Sequence, residues 1–236
     1  SATWYRIDYT DRVATPIPSL VGVLDNPLYA DLVTLNPDAN DLAAIIDGAL
    51  LGLENSTGRP YDPATIVAFI DARDRNIARQ RYSGVDLSMR YRIEFDGGKE
   101  LALSTAGSFL KSRQQILPGA AWTSLAGTLF RPSRFRGRAG VTYGGDRFTL
   151  AAFVNHMSGL DDDRQAVRMR IPSYTTLDLT ARVRLGKRTD VSLAALNLFN
   201  AKPTAIVTAL PSETPYDTTN YSPAGRFVGL TVRQEW

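Results

Sequence analysis

Few residues in this 236-residue chain have the type and spacing to do chemistry. There is one histidine, His156, and no cysteine, so a metal centre or a nucleophile–histidine triad lacks its parts. We read His156 as the outer end of a strand. Three carboxylates stand together at Asp161-Asp162-Asp163. They lack the spaced ligands and glycine of a calcium loop, and read as a solvated loop. Gly97-Gly98-Lys99 lacks the spacer and the Ser/Thr of a phosphate loop, and reads as a turn. Asn55-Ser56-Thr57 and Asn220-Tyr221-Ser222 fit the glycosylation triplet, a pattern common by chance. No nucleophile–base pair and no paired acids stand out, so neither an enzyme nor a cofactor is expected.

What remains is charge at every second position: Arg6 and Asp8; Asp86, Arg90, Arg92 and Glu94; Arg136 and Arg138; Asp178, Arg182 and Arg184; Arg233 and Glu235. Such rows can steer an anionic ligand along a wet lumen. Equally, the arginines can pair with Asp86, Glu94, Asp178 and Glu235 across neighbouring strands, or face a further domain. Both readings stay open.

A period of two is the strand period, so these rows need strands to carry them. Alternation predicts strands over 2–13, 82–95, 100–110, 134–143, 147–156, 174–185, 188–199 and a closing strand at 224–236. Their opposite faces are apolar, as in Val85, Leu87, Met89, Tyr91, Ile93 and Phe95, or Leu177, Leu179, Ala181, Val183 and Leu185. Gln234 is a polar intruder on the last apolar face, and 196–199 blurs as a bulge would. Asp96-Gly97-Gly98-Lys99, Gly144-Gly145-Asp146 and Gly186-Lys187 signal tight hairpins. The other connections are long. The longest, 14–79, predicts two short helices, one near Asp38 and one with Asp62 as N-cap and Pro63 at its first position.

The chain carries 27 Lys and Arg against 24 Asp and Glu, too even a balance to argue for nucleic acid. No apolar run reaches the roughly 18 residues of a membrane helix, but a barrel shows none. Strands of this length exceed those of most sandwiches. Aromatics on the apolar faces gather beside the tight turns: Tyr5, Phe95, Tyr143, Phe148 and the terminal Trp236. They predict an interfacial girdle. The fold class expected is all-β: an antiparallel up-and-down transmembrane barrel segment of about eight strands, one segment over 1–236. Short turns lie on one side and long loops on the other, with outer-membrane lipid against the apolar face.

Specific stretches resemble the C-terminal barrel of TonB-dependent outer-membrane receptors. They are Tyr5 to Val13, Arg75-Asn76-Ile77-Ala78, Ser83-Gly84-Val85-Asp86, Asn197-Leu198-Phe199-Asn200-Ala201-Lys202-Pro203, and Tyr221 to Trp236. The resemblance implies a barrel of about 22 strands closed by an N-terminal plug. It implies uptake of an iron–siderophore complex, cobalamin or a saccharide in the outer membrane of a Gram-negative bacterium. Energy would come from the inner-membrane protein TonB through the plug. This chain matches the last third of such a receptor, so plug and earlier strands are expected outside it. Two rivals are a self-contained eight-stranded porin-like or adhesive barrel, and a soluble β-sandwich binding domain.

Overall fold

The computed structural model describes residues 1–164, 167–208 and 211–235. Eight long strands form one antiparallel sheet: β1 (Ala2–Ala14), β2 (Arg75–Phe95), β3 (Lys99–Gln115), β4 (Phe135–Gly144), β5 (Phe148–Met157), β6 (Tyr174–Leu185), β7 (Thr189–Leu196) and β8 (Phe227–Gln234). Their order across the sheet is their order in the chain, which is the up-and-down topology read from the tight turns. Thr123–Ser124 adds a short piece beside β3. Among the described residues β1 pairs only with β2, and β8 only with β7. The sheet is therefore open, and β8 does not close on Tyr5–Tyr9. A self-contained eight-stranded barrel would join its first and last strands, and a sandwich would need a second large sheet. Besides the main sheet, the described residues form two small hairpins, Val33–Leu35 with Ala68–Ile70 and Leu160–Asp162 with Met169–Ile171.

Two of the three tight turns use glycines that accept left-handed backbone; Gly144 and Gly145 in the third do not adopt it. Gly97 and Gly98 have φ of 77° and 70°, and Gly186 has 67°. A Cβ costs roughly 1 kcal/mol or more in that region, so the chain reverses where glycine stands. At the end of β7 the expected bulge is instead a turn. Asn197 and Asn200 sit at φ 50° and 55°, which asparagine tolerates better than other residues bearing a Cβ. The Asn197 side chain closes the turn: its Nδ2 donates to the Ala201 carbonyl at 2.8 Å, and its Oδ1 accepts from the Ala201 amide at 2.9 Å. Gln234 has a partner too, with Thr189 Oγ1 donating across the β7–β8 pair at 2.5 Å.

Strand β2 begins at Arg75 rather than near 82, and β3 runs to Gln115 rather than 110. In β2 the buried positions of this extension are Ala78 and Gln80, which hydropathy does not mark as a core face. The long connection carries α1 (Ala39–Asp47), whose N-cap Asp38 accepts from the Asn40 amide at 2.7 Å. Asp62 also caps, accepting from the Ala64 amide at 3.0 Å, but the element it caps is a single 3-10 turn, Pro63–Thr65.

The chain divides into two compact units. One comprises Ser1–Asp8, Arg81–Gln114 and Thr123–Trp236; the other comprises Tyr9–Gln80 and Gln115–Trp122. The core of the first gathers Leu129, Met157, Leu160, Ile171 and Tyr221; that of the second gathers Ile17, Val23, Leu32 and Leu117. Both cores are built from connections and strand ends, not from the middle of the sheet.

Gly84 and Gly144 are the glycines of the sheet at which a side chain would run into backbone atoms, and Gly84 is the more crowded. A Cβ at Gly84 would lie 2.4 Å from the Phe109 carbonyl oxygen and from the Tyr5 hydroxyl. The carbonyl is backbone and cannot swing away. Gly84→Ala should therefore lower the urea midpoint of the detergent-folded protein, by about 1–3 kcal/mol of stability, as overpacking does. An unchanged midpoint would mean that β3 yields there.

Candidate functional site

Cross-strand register decides which side chains share a face. Arg138 faces Asn155, Asn155 faces Thr176, Arg182 faces Ser192, and Asp190 faces Arg233. The charged rows of β4 to β8 thus fall on one side. There they form a chain of bonds. Arg138 Nη1 donates to Asn155 Oδ1 at 3.1 Å. Asn155 Nδ2 donates to Thr176 Oγ1 at 3.1 Å and to Asp178 Oδ2 at 2.8 Å. Asp178 Oδ1 accepts from the Asn197 amide at 2.9 Å. The Arg138 guanidinium lies 4.1 Å above the Phe153 ring, and that ring occupies the space a side chain at Gly140 would need.

Further along, Asp190 holds Arg182 at 2.8 Å and Arg184 at 3.4 Å. Arg92 pairs with Glu100 at 3.2 Å and Arg233 with Glu235 at 3.2 Å. Most of these arginines are half exposed, so each pair contributes at most about 1 kcal/mol. Arg136 differs: its Nη2 reaches Asn220 Oδ1 at 3.3 Å and Met157 Sδ at 3.4 Å, not a carboxylate. Among the described residues Asp86, Arg90 and Glu94 make no ion pair. The acidic partners Asp190 and Glu100 were not picked out by the sequence pattern, although both stand at alternating positions of their strands.

Register corrects the reading of β1. Ser1 and Ser88 exchange backbone hydrogen bonds, Ser88 N–H donating at 2.9 Å and the Ser1 amino group at 2.6 Å. The Tyr5 ring then lies on Gly84, the face that also carries Asp86. Arg6 and Asp8 fall on the opposite face, where Asp8 also meets Arg81 at 2.7 Å. The physical reason is that β1 carries aromatics on both faces, so alternation gives its period but not its phase. Phe95, Tyr143 and Phe148 do form a continuous row beside the tight turns, with centroids 6.5 and 5.7 Å apart. Tyr5 is not in it, and Trp236 lies outside the described residues.

The charged face holds a cavity of about 670 Å³, lined by Asp86, Ser108, Arg136, Arg138, Tyr174 and Thr176 among others. His156 also borders it; it is the penultimate residue of β5, with Nδ1 2.8 Å from Thr175 Oγ1. Connections beside the cavity are tied by two buried carboxylates. Asp217 is fully buried and accepts from the amides of Phe130, Thr219 and Asn220 and from Asn220 Nδ2, at 2.8–3.1 Å. Its one local signal is the Asp-Thr-Thr-Asn turn, in which an aspartate bonds amides two and three residues on.

Asp162 is the second carboxylate, and it departs from the solvated reading of 161–163; Asp161 is partly buried, and Asp163 is exposed as that reading has it. Asp162 is buried and takes Arg164 Nε at 2.9 Å and Nη2 at 3.0 Å. Arg164 continues to the Val207 carbonyl at 2.8 Å and to Glu213. Asp161 meets Arg134 at 3.1 Å. Arginines thus balance Asp161 and Asp162, and among the described residues no group of three acids or histidines can hold a metal.

An open antiparallel sheet in chain order, with alternating tight and long connections and one charged face, defines the wall of an up-and-down barrel. The family model described as "TonB dependent receptor-like, beta-barrel" matches residues 1–200, and the chain belongs to that family. No curated protein and no solved structure matches it. The family comprises outer-membrane receptors and transporters rather than enzymes.

The buried carboxylates lead to two predictions. Asp217→Ala strands several buried N–H donors, and should cost about 3 kcal/mol or more. Limited proteolysis would then cut within 123–134 and 197–226 while the strands stay protected. Hydrogen bonds from Arg164 hold the Asp162 carboxyl below the usual carboxylate range. A depressed folded value gives stability present above the unfolded carboxylate range and lost as pH falls through the folded value. Exchange protection of 160–164 should therefore be constant from pH 7 to about 5, and fall only below about 4. Loss of protection near pH 6 would contradict this tie.

Proposed function

We propose that this chain is barrel wall and loop of a TonB-dependent outer-membrane receptor taking up a scarce ligand: an iron–siderophore complex, cobalamin or a saccharide. The apolar strand face meets lipid. The charged face lines the lumen, with Arg90, Arg92, Arg138, Arg182, Arg184 and Arg233 among its side chains, and Phe95, Tyr143 and Phe148 mark an interface with water. The long connections form part of the outward-facing vestibule. A plug and further strands, outside this chain, would complete the barrel and relay energy from TonB.

One observation carries the membrane placement. Outward residues such as Met89, Tyr91, Leu150, Leu230 and Val232 are half exposed or more, although they form a continuous apolar face. A contiguous patch of that kind calls for cover, and a single sheet has none of its own among the described residues. Lipid supplies it.

The absence of cysteine allows a clean test. Leu103 and Ser104 are adjacent on β3 and face opposite ways, toward Val141 and Gly140 respectively. With the protein folded into lipid vesicles, a water-soluble maleimide should label Ser104→Cys and spare Leu103→Cys. Equal labelling of the two would overturn the placement.

A further inference from the structure

On the charged face, side chains of four neighbouring strands meet in one cross-strand row. Ser108 of β3 faces Arg136 of β4, Arg136 faces Met157 of β5, and Met157 faces Tyr174 of β6. All four line the cavity of about 670 Å³, and Asp86 borders it from β2, the strand on the other side of β3. One cavity thus holds a carboxylate and a guanidinium, with a serine hydroxyl on the strand between them. Elsewhere on this face such groups neutralise each other, as Arg92 does with Glu100, Arg182 with Asp190 and Arg138 with Asp178. Here they do not. Arg136 Nη2 is held by the Asn220 side-chain oxygen and the Met157 sulfur, and Asp86 makes no ion pair among the described residues. Neither strand beside Asp86 brings a charged side chain to the described lining.

Two opposite charges left apart in one cavity call for a ligand that carries both. A purely anionic ligand gains from Arg136 but is opposed by Asp86, and an uncharged one displaces water from both without supplying a counter-ion. Spacing then selects the length of the ligand. Asp86 and Arg136 stand two strand spacings apart, about 10 Å between backbones. A free amino acid carries both charges on one carbon and cannot reach both groups. An extended peptide advances about 3.3–3.6 Å per residue, so about two to four residues bring an α-ammonium to Asp86 and an α-carboxylate to Arg136. Ser108 lies under the middle of such a chain, where its hydroxyl can donate to a peptide carbonyl or accept from an N–H. Beyond Arg136 the row continues as Met157 and Tyr174, which offer apolar contact to the last side chain of the peptide.

We propose that Asp86, Ser108 and Arg136 bind a short linear peptide with both ends free, its ammonium on Asp86 and its carboxylate on Arg136. This ligand class lies beyond the three that the uptake reading names. The site rests on that reading in one respect, that the charged face is open to water.

The test uses the whole chain folded into lipid vesicles and measures, by titration calorimetry, the binding of trialanine, its N-acetyl form, its C-terminal amide and free alanine. Trialanine should bind, and blocking either end should weaken it by about tenfold or more, the loss of one hydrogen-bonded charge. Free alanine should bind no better than the blocked peptides. Asp86→Asn should bring trialanine down to the N-acetyl form and leave the N-acetyl form unchanged. Arg136→Gln should do the same with the amide, and Arg136→Lys should restore the preference for a free carboxylate. Blocked peptides or alanine that bind as tightly as trialanine overturn the site on the wild-type protein alone, whether or not the variants fold. So does a failure of trialanine to bind while Ser104→Cys is labelled and Leu103→Cys is spared, and the open charged face then stands. Equal labelling of those two cysteines would overturn the open face and the site together.

Discussion

Asp178 is the contact on which the barrel wall depends. It lies on the charged face and takes Asn155 from β5, Arg138 from β4 and the Asn197 amide at the end of β7. Four adjacent strands are thereby held at one register. A slip of one residue in any of them would send every charge to the apolar face and every apolar side chain to the charged one. The pairs themselves are individually weak. Their value lies in excluding the alternative registers, and a sheet whose middle carries no buried core has little else to do so. Gly140 belongs to the same arrangement, because its missing side chain lets the Phe153 ring lie flat under Arg138.

Much of this was legible in the chain. Alternation located all eight strands, and glycine-bearing turns marked three of the seven connections, because strand period and turn chemistry are local properties. Asp38 and Asp62 were readable as caps for the same reason. Phase was not local. Tyr5, Arg6 and Asp8 sit in a strand with aromatics on both sides, and only the Ser1–Ser88 pairing, far apart in sequence, says which side is which. Asp162 shows the same limit. Its burial depends on Arg164 nearby and, through Arg164, on Glu213 in a different connection. Nor does Asp217 carry any mark of full burial beyond a common turn pattern.

The distribution of buried residues explains why the connections are ordered at all. Long loops between strands usually lack a core. Here Leu129, Leu160, Ile171 and Tyr221 come from several connections and pack together around Met157 at the end of β5. Tyr221 and Tyr174 meet edge to face at 5.1 Å, and burial raises the affinity of the Tyr221 hydroxyl for its proton. These connections therefore stand on the wall as a packed layer, and the cavity beside them has a defined border of Arg136, Asn220 and Tyr174.

That layer and the charged face place opposite demands on arginine. Arg164 serves structure alone: its guanidinium bonds Asp162, Glu213 and a carbonyl, and stacks 5.4 Å from the Phe130 ring. Arg136, by contrast, is held by an amide and a thioether, neither of which cancels its charge. The net positive charge of the chain is small, so its reach depends on where neutralisation is incomplete. On the charged face Arg136 is one such place, and Arg90, which makes no ion pair among the described residues, is another. Elsewhere on that face Arg92, Arg182, Arg184 and Arg233 are paired with carboxylates, and the opposite face is apolar. Arg136 stands at the second position of β4, where its neighbour is Asn220 of a connection rather than a carboxylate of an adjoining strand.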